Sequence, residues 1–93
     1  MARFDDQVAI VTGGATGIGY GIARRLASEG ARILIVDYDA PLGEQATSEL
    51  RARGAATELT VGDVAESDTA ERAVQQALDS WGRIDILVNN AGI

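Results

Sequence analysis

Glycine makes up four of the eight residues in Thr12-Gly13-Gly14-Ala15-Thr16-Gly17-Ile18-Gly19, between an apolar run, Val8-Ala9-Ile10-Val11, and a helical pattern. A strand that passes through such a turn into a helix is a seat for phosphate, because the first N–H groups of the helix lack intrahelical partners and face the anion. The spacing is GxxxGxG and not the GxGxxG of the common dinucleotide fingerprint, but the physical demands are alike. Gly13 permits the tight turn out of the strand, Gly17 lets a pyrophosphate approach the backbone, and Gly19 lets the helix pack closely on the sheet. The same spacing also suits a glycine-rich turn that holds no ligand, so the loop by itself leaves both readings open.

A carboxylate stands where the first reading needs one. Asp37 closes a second apolar run, Ile33-Leu34-Ile35-Val36, eighteen residues after Gly19. At a strand end it accepts hydrogen bonds from adenosine ribose hydroxyls and repels a 2′-phosphate, which favours NAD over NADP. Thr16 and Tyr38 border the same place and offer no cation to that phosphate. The plainer alternative for Asp37 is a solvated acid.

Other chemistries are excluded by composition. The chain has no cysteine and no histidine, hence no disulfide, no thiol nucleophile, no Cys/His metal site and no imidazole base. All eight basic residues are arginine, against fourteen acids, and the net charge of −6 opposes binding to nucleic acid or to an anionic membrane surface. No run approaches the roughly 20 apolar residues of a membrane span, and the polar, acidic start is unlike a secretory signal. A cytoplasmic location is the expectation.

The elements that would position these residues alternate between apolar runs and helical stripes, the pattern of a parallel βαβ fold. Residues 8–12 form the first strand. Ile18, Ile22 and Leu26 mark a helix that ends at Gly30, and residues 33–36 form a strand buried on both faces. Pro41 opens a second helix with Leu42, Ala46 and Leu50 as its apolar stripe, before Gly54. Residues 57–61 alternate as an edge strand with one wet face would. Asp68 and Glu71 resemble a capping box ahead of a third helix, whose stripe runs through Ala70, Val74, Ala77, Leu78 and Trp81 to Gly82. Residues 84–88 form a fourth strand.

With 93 residues there is room for one domain. Right-handed crossovers with the usual reversal give the strand order 3-2-1-4, with two helices on one face and one on the other. Ile86, Leu87 and Val88 then lie on an edge that neither charge nor proline blunts. A homo-oligomer is the expectation, formed across this fourth strand or by exchange of elements.

Taken in order, residues 12–19, Asp63-Val64 and Asn89-Asn90-Ala91-Gly92 resemble the TGxxxGxG motif, the aspartate after the third strand, and the NNAG motif of the short-chain dehydrogenase/reductase family. The resemblance covers essentially the whole chain. It implies a partial Rossmann fold, a parallel sheet with three crossover helices, as the N-terminal cofactor-binding segment of an alcohol- or carbonyl-transforming enzyme. It further implies Ile18 near the pyrophosphate, Asp63 and Val64 at the adenine, and the backbone of Asn90, Ala91 and Gly92 along the ribose. Asn89 and Asn90 could equally serve the backbone alone.

That family works with a serine, a tyrosine and a lysine four residues beyond the tyrosine, all after its NNAG motif. Here Tyr20 is followed by Arg24, Tyr38 by Leu42, and the chain has no lysine. The expectation is a fragment that binds NAD and is inactive by itself. The alternative is a self-associating structural or engineered module whose loop is retained only as fold.

Overall fold

Val8, Ala9, Ile10 and Val11 carry no polar side chain to offer water, and Ile33, Leu34, Ile35 and Val36 repeat the pattern; all eight are buried. Strands of this kind must be covered on both faces. The computed structural model describes residues 3–90 and arranges them as β1 Val8–Thr12, α1 Gly17–Ser28, β2 Arg32–Asp37, α2 Ala40–Ala52, β3 Thr57–Val61, α3 Ser67–Trp81 and β4 Ile86–Asn89. The sheet order is β3-β2-β1-β4, with every pair parallel. This is the expected α/β, Rossmann-like topology with its three crossover helices.

Side-chain alternation divides the core in two. Ala9, Val11, Ile33 and Ile35 meet Ala23 of α1 and Ala46 and Leu50 of α2. Val8, Ile10, Leu34 and Val36 meet Ala73 and Ala77 of α3, with Trp81 packed at the margin as a core residue. One helix therefore covers a face that, on the other side, receives two. Ile10 is in register with Leu87, so Leu87 points to the α3 face, yet it is 67% exposed. Val74 and Leu78, expected in the buried stripe of α3, are also exposed because nothing packs outside them.

The edge strand and the helix starts follow from local contacts. β3 is an edge strand, but Thr57 and Thr60 are its buried residues, since helices stand on both sides of it. The Thr60 hydroxyl donates to Gln76 Oε1 at 2.6 Å, and Gln76 Nε2 donates to Glu58 Oε1 at 2.9 Å, which ties the edge to α3. α3 begins one residue before Asp68: Glu66 occupies the N-cap position without a side-chain cap, and Asp68 instead pairs with Arg72 at 3.1 Å. α2 has the side-chain cap, with Asp39 accepting from the Leu42 N–H at 3.0 Å and Pro41 in the first turn.

β4 starts at Ile86 and not at Ile84, because a side chain takes the preceding place in the ladder. Asp85 Oδ2 accepts from the Val8 N–H at 2.8 Å, while the Asp85 N–H donates to the Val8 carbonyl at 2.9 Å. Arg83 holds the same carboxylate through two bonds, of 2.8 and 2.7 Å. The Arg83 hydrogen bond, and then that from Val8, keep the Asp85 carboxyl below its ordinary value of 3.8. Such a group stabilises the fold fully above its unfolded-state value, and the contribution is lost as pH falls through the lower folded-state value. Urea midpoints of the parent chain are expected to drop below about pH 4. Asp85→Asn is expected to flatten that acid limb, and superimposable acid limbs would contradict the assignment.

Candidate functional site

β1 delivers the glycine-rich loop at the carboxyl end of the sheet, between β2 and β4. Gly13 and Gly17 have φ of 64° and 58°, a left-handed conformation that strains any residue with a Cβ. The Gly13 N–H donates to the Val36 carbonyl at 2.8 Å, which turns the chain across the end of β2. Thr16 is extended and its side chain makes no capping bond, and the first turn of α1 contains no acid. Among the described residues the N–H groups at this helix start thus have no side-chain acceptor, which leaves them suited to an anion.

Gly19 is needed for space. A Cβ there would collide with the Gly13 carbonyl and lie 2.7 Å from Asn90 Nδ2. The helix can approach the loop this closely only without a side chain.

Asn90 closes the site from β4. Its Nδ2 donates to the Gly13 carbonyl at 3.3 Å, and its N–H donates to Thr12 Oγ1 at 2.9 Å. The Thr12 hydroxyl lies 3.3 Å from both the Val88 carbonyl and Asn89 Oδ1 and donates to them. Both asparagine side chains therefore serve the backbone junction between β1 and β4. Residues 91 and 92, the remainder of that motif, lie outside the described residues.

Asp37 ends β2 at only 8% exposure. Its Oδ2 accepts from the Ala15 N–H at 3.2 Å and its Oδ1 from the Asp39 N–H at 3.0 Å. It is not a solvated acid: it fastens the glycine loop to the turn that enters α2. Asp63 behaves more locally, accepting from the Ala65 N–H at 2.9 Å in the turn after β3.

A cavity of about 540 Å³ gathers most of these residues. Gly13, Thr16, Asp37 and Tyr38 form one side, Asp63 and Val64 another, and Asn90 the end. Gly17, Ile18 and Gly19 shape the loop without lining this space, and Ile18 is 77% exposed. Asp39, Leu42, Gly62 and Ala65 also line it and were not anticipated. Leu42 was expected in the buried stripe of α2; it is 40% exposed because the first turn of that helix overhangs the cavity. Asp39 had a readable signal, as the acid before Pro41 and hence a helix cap. The cavity wall holds three carboxylates, Asp37, Asp39 and Asp63, and no arginine among the described residues.

The short chain dehydrogenase family model matches residues 7–93. The chain belongs to this family. A CLA biosynthesis dehydrogenase/reductase of Lactiplantibacillus plantarum is 39% identical over 93 residues, covering 100% of this chain and 32% of the relative. L-Sorbose reductase from Gluconobacter frateurii, solved with NADPH and L-sorbose, superposes with a TM-score of 0.94 at 34% identity, covering 99% of this chain and 35% of that one. A metagenomic short-chain oxidoreductase in complex with NADP gives a TM-score of 0.88 at 39% identity, covering 97% and 41%. The chain thus spans about a third of the length of the curated relatives it matches. Among the described residues, no helix is long and apolar enough to cross a membrane.

The two loop glycines are needed for different reasons, so their substitution should differ in effect. Gly17→Ala meets no atom within 4 Å and is expected to cost about 1–2 kcal/mol from its positive φ alone. Gly19→Ala must displace backbone and is expected to cost more, about 3 kcal/mol or above. Chemical denaturation of both variants checks this, and equal losses would contradict the close approach at Gly19.

Proposed function

We propose that this chain is the NAD-binding segment of a nicotinamide-dependent short-chain oxidoreductase, and that these residues alone place a cofactor without turning over a substrate. The observation that carries the choice of NAD is the Asp37 carboxylate at the end of β2, held beside Asp39 and Asp63 with no arginine in the same wall. A 2′-phosphate brought there would meet only negative charge.

In this reading Gly13 turns the loop, the N–H groups of Thr16, Gly17 and Ile18 receive the pyrophosphate, and Gly19 keeps them in place. Asp37 and Tyr38 border the adenosine ribose, Asp63 and Val64 the adenine, and Asn90, with Ala91 and Gly92, the ribose nearer the nicotinamide. The bound nicotinamide would supply a hydride acceptor or donor. Hydride chemistry on an alcohol or carbonyl also needs a group that moves the substrate proton. The chain contains no lysine and no histidine; of its two tyrosines, Tyr20 donates to Glu49 at 2.8 Å, and Tyr38 is exposed and borders the cavity beside Asp37.

Two solved relatives carry NADPH or NADP, so both cofactor classes belong in the test. Calorimetric titration is expected to show NAD bound at least about tenfold more tightly than NADP, the equivalent of 1.4 kcal/mol. Asp37→Asn should narrow that ratio. Equal or tighter NADP binding would overturn the NAD reading, and no heat with either would leave the self-associating module as the better account.

Self-association itself has a specific support. Leu87 on the outer strand and Val74 on α3 are exposed around a cavity of about 240 Å³, and Leu78 of α3 is exposed as well, beside a strand edge without charge or proline. The chain is expected to sediment as a dimer or larger species at micromolar concentration, and Leu87→Glu to shift it toward monomer. A parent chain that remains monomeric would contradict this.

A further inference from the structure

Six of the eight arginines have their charge engaged. Arg25 pairs with Glu29, Arg32 with Asp6, Arg72 with Asp68 and Arg83 with Asp85. Arg51 donates to the Thr57 carbonyl at 2.8 Å, and Arg3 stands over the Phe4 ring. The Arg24 and Arg53 side chains make no hydrogen bond or ion pair with the described residues, in a chain with fourteen acids to choose from. Both line the same groove.

This groove, of about 520 Å³, runs along the outside of α1 and past the end of α2. Arg24, Arg25 and Arg53 surround it with Gly21, Ser28 and Ala55, and no carboxylate belongs to its wall. Arg25 and Arg53 stand near helix C-termini, where a cation is favoured, which accounts for their presence. It does not account for Arg24 and Arg53, two guanidiniums without a side-chain partner, facing one opening whose described wall holds no carboxylate, beside an Arg25 already held by Glu29. Like charges that face one opening repel, and the repulsion is relieved by an anion. Gly21 supplies an independent sign. It occupies the interior of α1, where glycine is unfavourable, yet a Cβ there would meet nothing within 4 Å. Packing within the chain does not require this glycine, and its effect is to keep the groove floor open.

We propose that the groove is a second ligand site that takes a phosphoryl group carried by a small molecule. Guanidinium forks match phosphoryl oxygens in geometry and charge, and Arg24 and Arg53 are the two in this groove that no carboxylate holds among the described residues. The site shares no lining residue with the cavity beside Asp37, so it is independent of the dinucleotide reading. Its ligand would bind the outer surface of α1, the helix whose first turn shapes the glycine loop.

The test is a two-dimensional amide and arginine side-chain NMR titration of the full chain, with inorganic pyrophosphate and a sugar phosphate as separate arms at matched ionic strength. Saturable shifts are expected at Gly21 and at the Arg24 and Arg53 side chains. Saturation by either arm supports the site, and the tighter one identifies the source of the phosphoryl group. The double variant Arg24→Ala, Arg53→Ala is expected to weaken the groove response about tenfold or more. Gly21→Glu should abolish it by placing a carboxylate among the guanidiniums, while leaving shifts in the glycine loop unchanged. Shifts confined to residues 13–19, shifts linear in ligand without saturation, or a groove response unaltered in Gly21→Glu would each overturn the proposal.

Discussion

The first turn of α1 rests directly on the backbone of the loop that precedes it, and the rest of the site follows from that contact. At Gly19 the helix, the Gly13 carbonyl and the Asn90 side chain converge with no space for one further carbon. Because β1 and β4 are neighbours, the amide of Asn90 reaches across to that same carbonyl, and Thr12 receives the N–H of the next turn. A loop fixed from three sides can present its N–H groups in one arrangement. Pre-organisation of this kind is what an anion site in a small fold requires, since ordering it on binding would consume part of the affinity.

The same chain direction produces an uneven cover. Alternation along β1 and β2 sends equal apolar surface to both faces, but two helices answer on one side and one on the other. Near β2 and β1 the single helix suffices, and Leu34 and Val36 are buried. Toward β4 it does not, and the exposed apolar side chains collect there. The fold is thus well determined around the cofactor-type cavity and open at its far margin.

Much of this was legible before any coordinates. Unbroken apolar runs identified β1 and β2 as buried strands, and the alternation of runs and helical stripes gave the strand order, because crossover handedness leaves few topologies. The glycine loop and Asp37 are recognisable by type and spacing, and Asp63 and Asn90 by the resemblance to the family's motifs. What escaped depends on partners distant in sequence. Asp68 reads as a cap until Arg72 is seen to hold it, and Asp85 reads as a residue of the fourth strand until Val8 is seen against its carboxylate. Leu42 fits a helical stripe equally well whether the first turn of α2 meets the sheet or overhangs a cavity. Periodicity records which face a residue is on, not whether anything stands opposite.

Asp37 holds two backbone N–H groups, one from each side of the cavity mouth. A carboxylate tethered in this way cannot swing aside when a second negative group arrives, so in the proposed NAD reading it would act as a fixed wall more than as a mobile gate. The tether also binds preference to architecture. Exchanging this acid for a small neutral residue would remove the repulsion and at the same time release Ala15 from the turn that enters α2. On the proposed NAD preference, conversion to the phosphorylated cofactor would require a new acceptor for that loop as well as a new cation, two changes where charge alone would call for one.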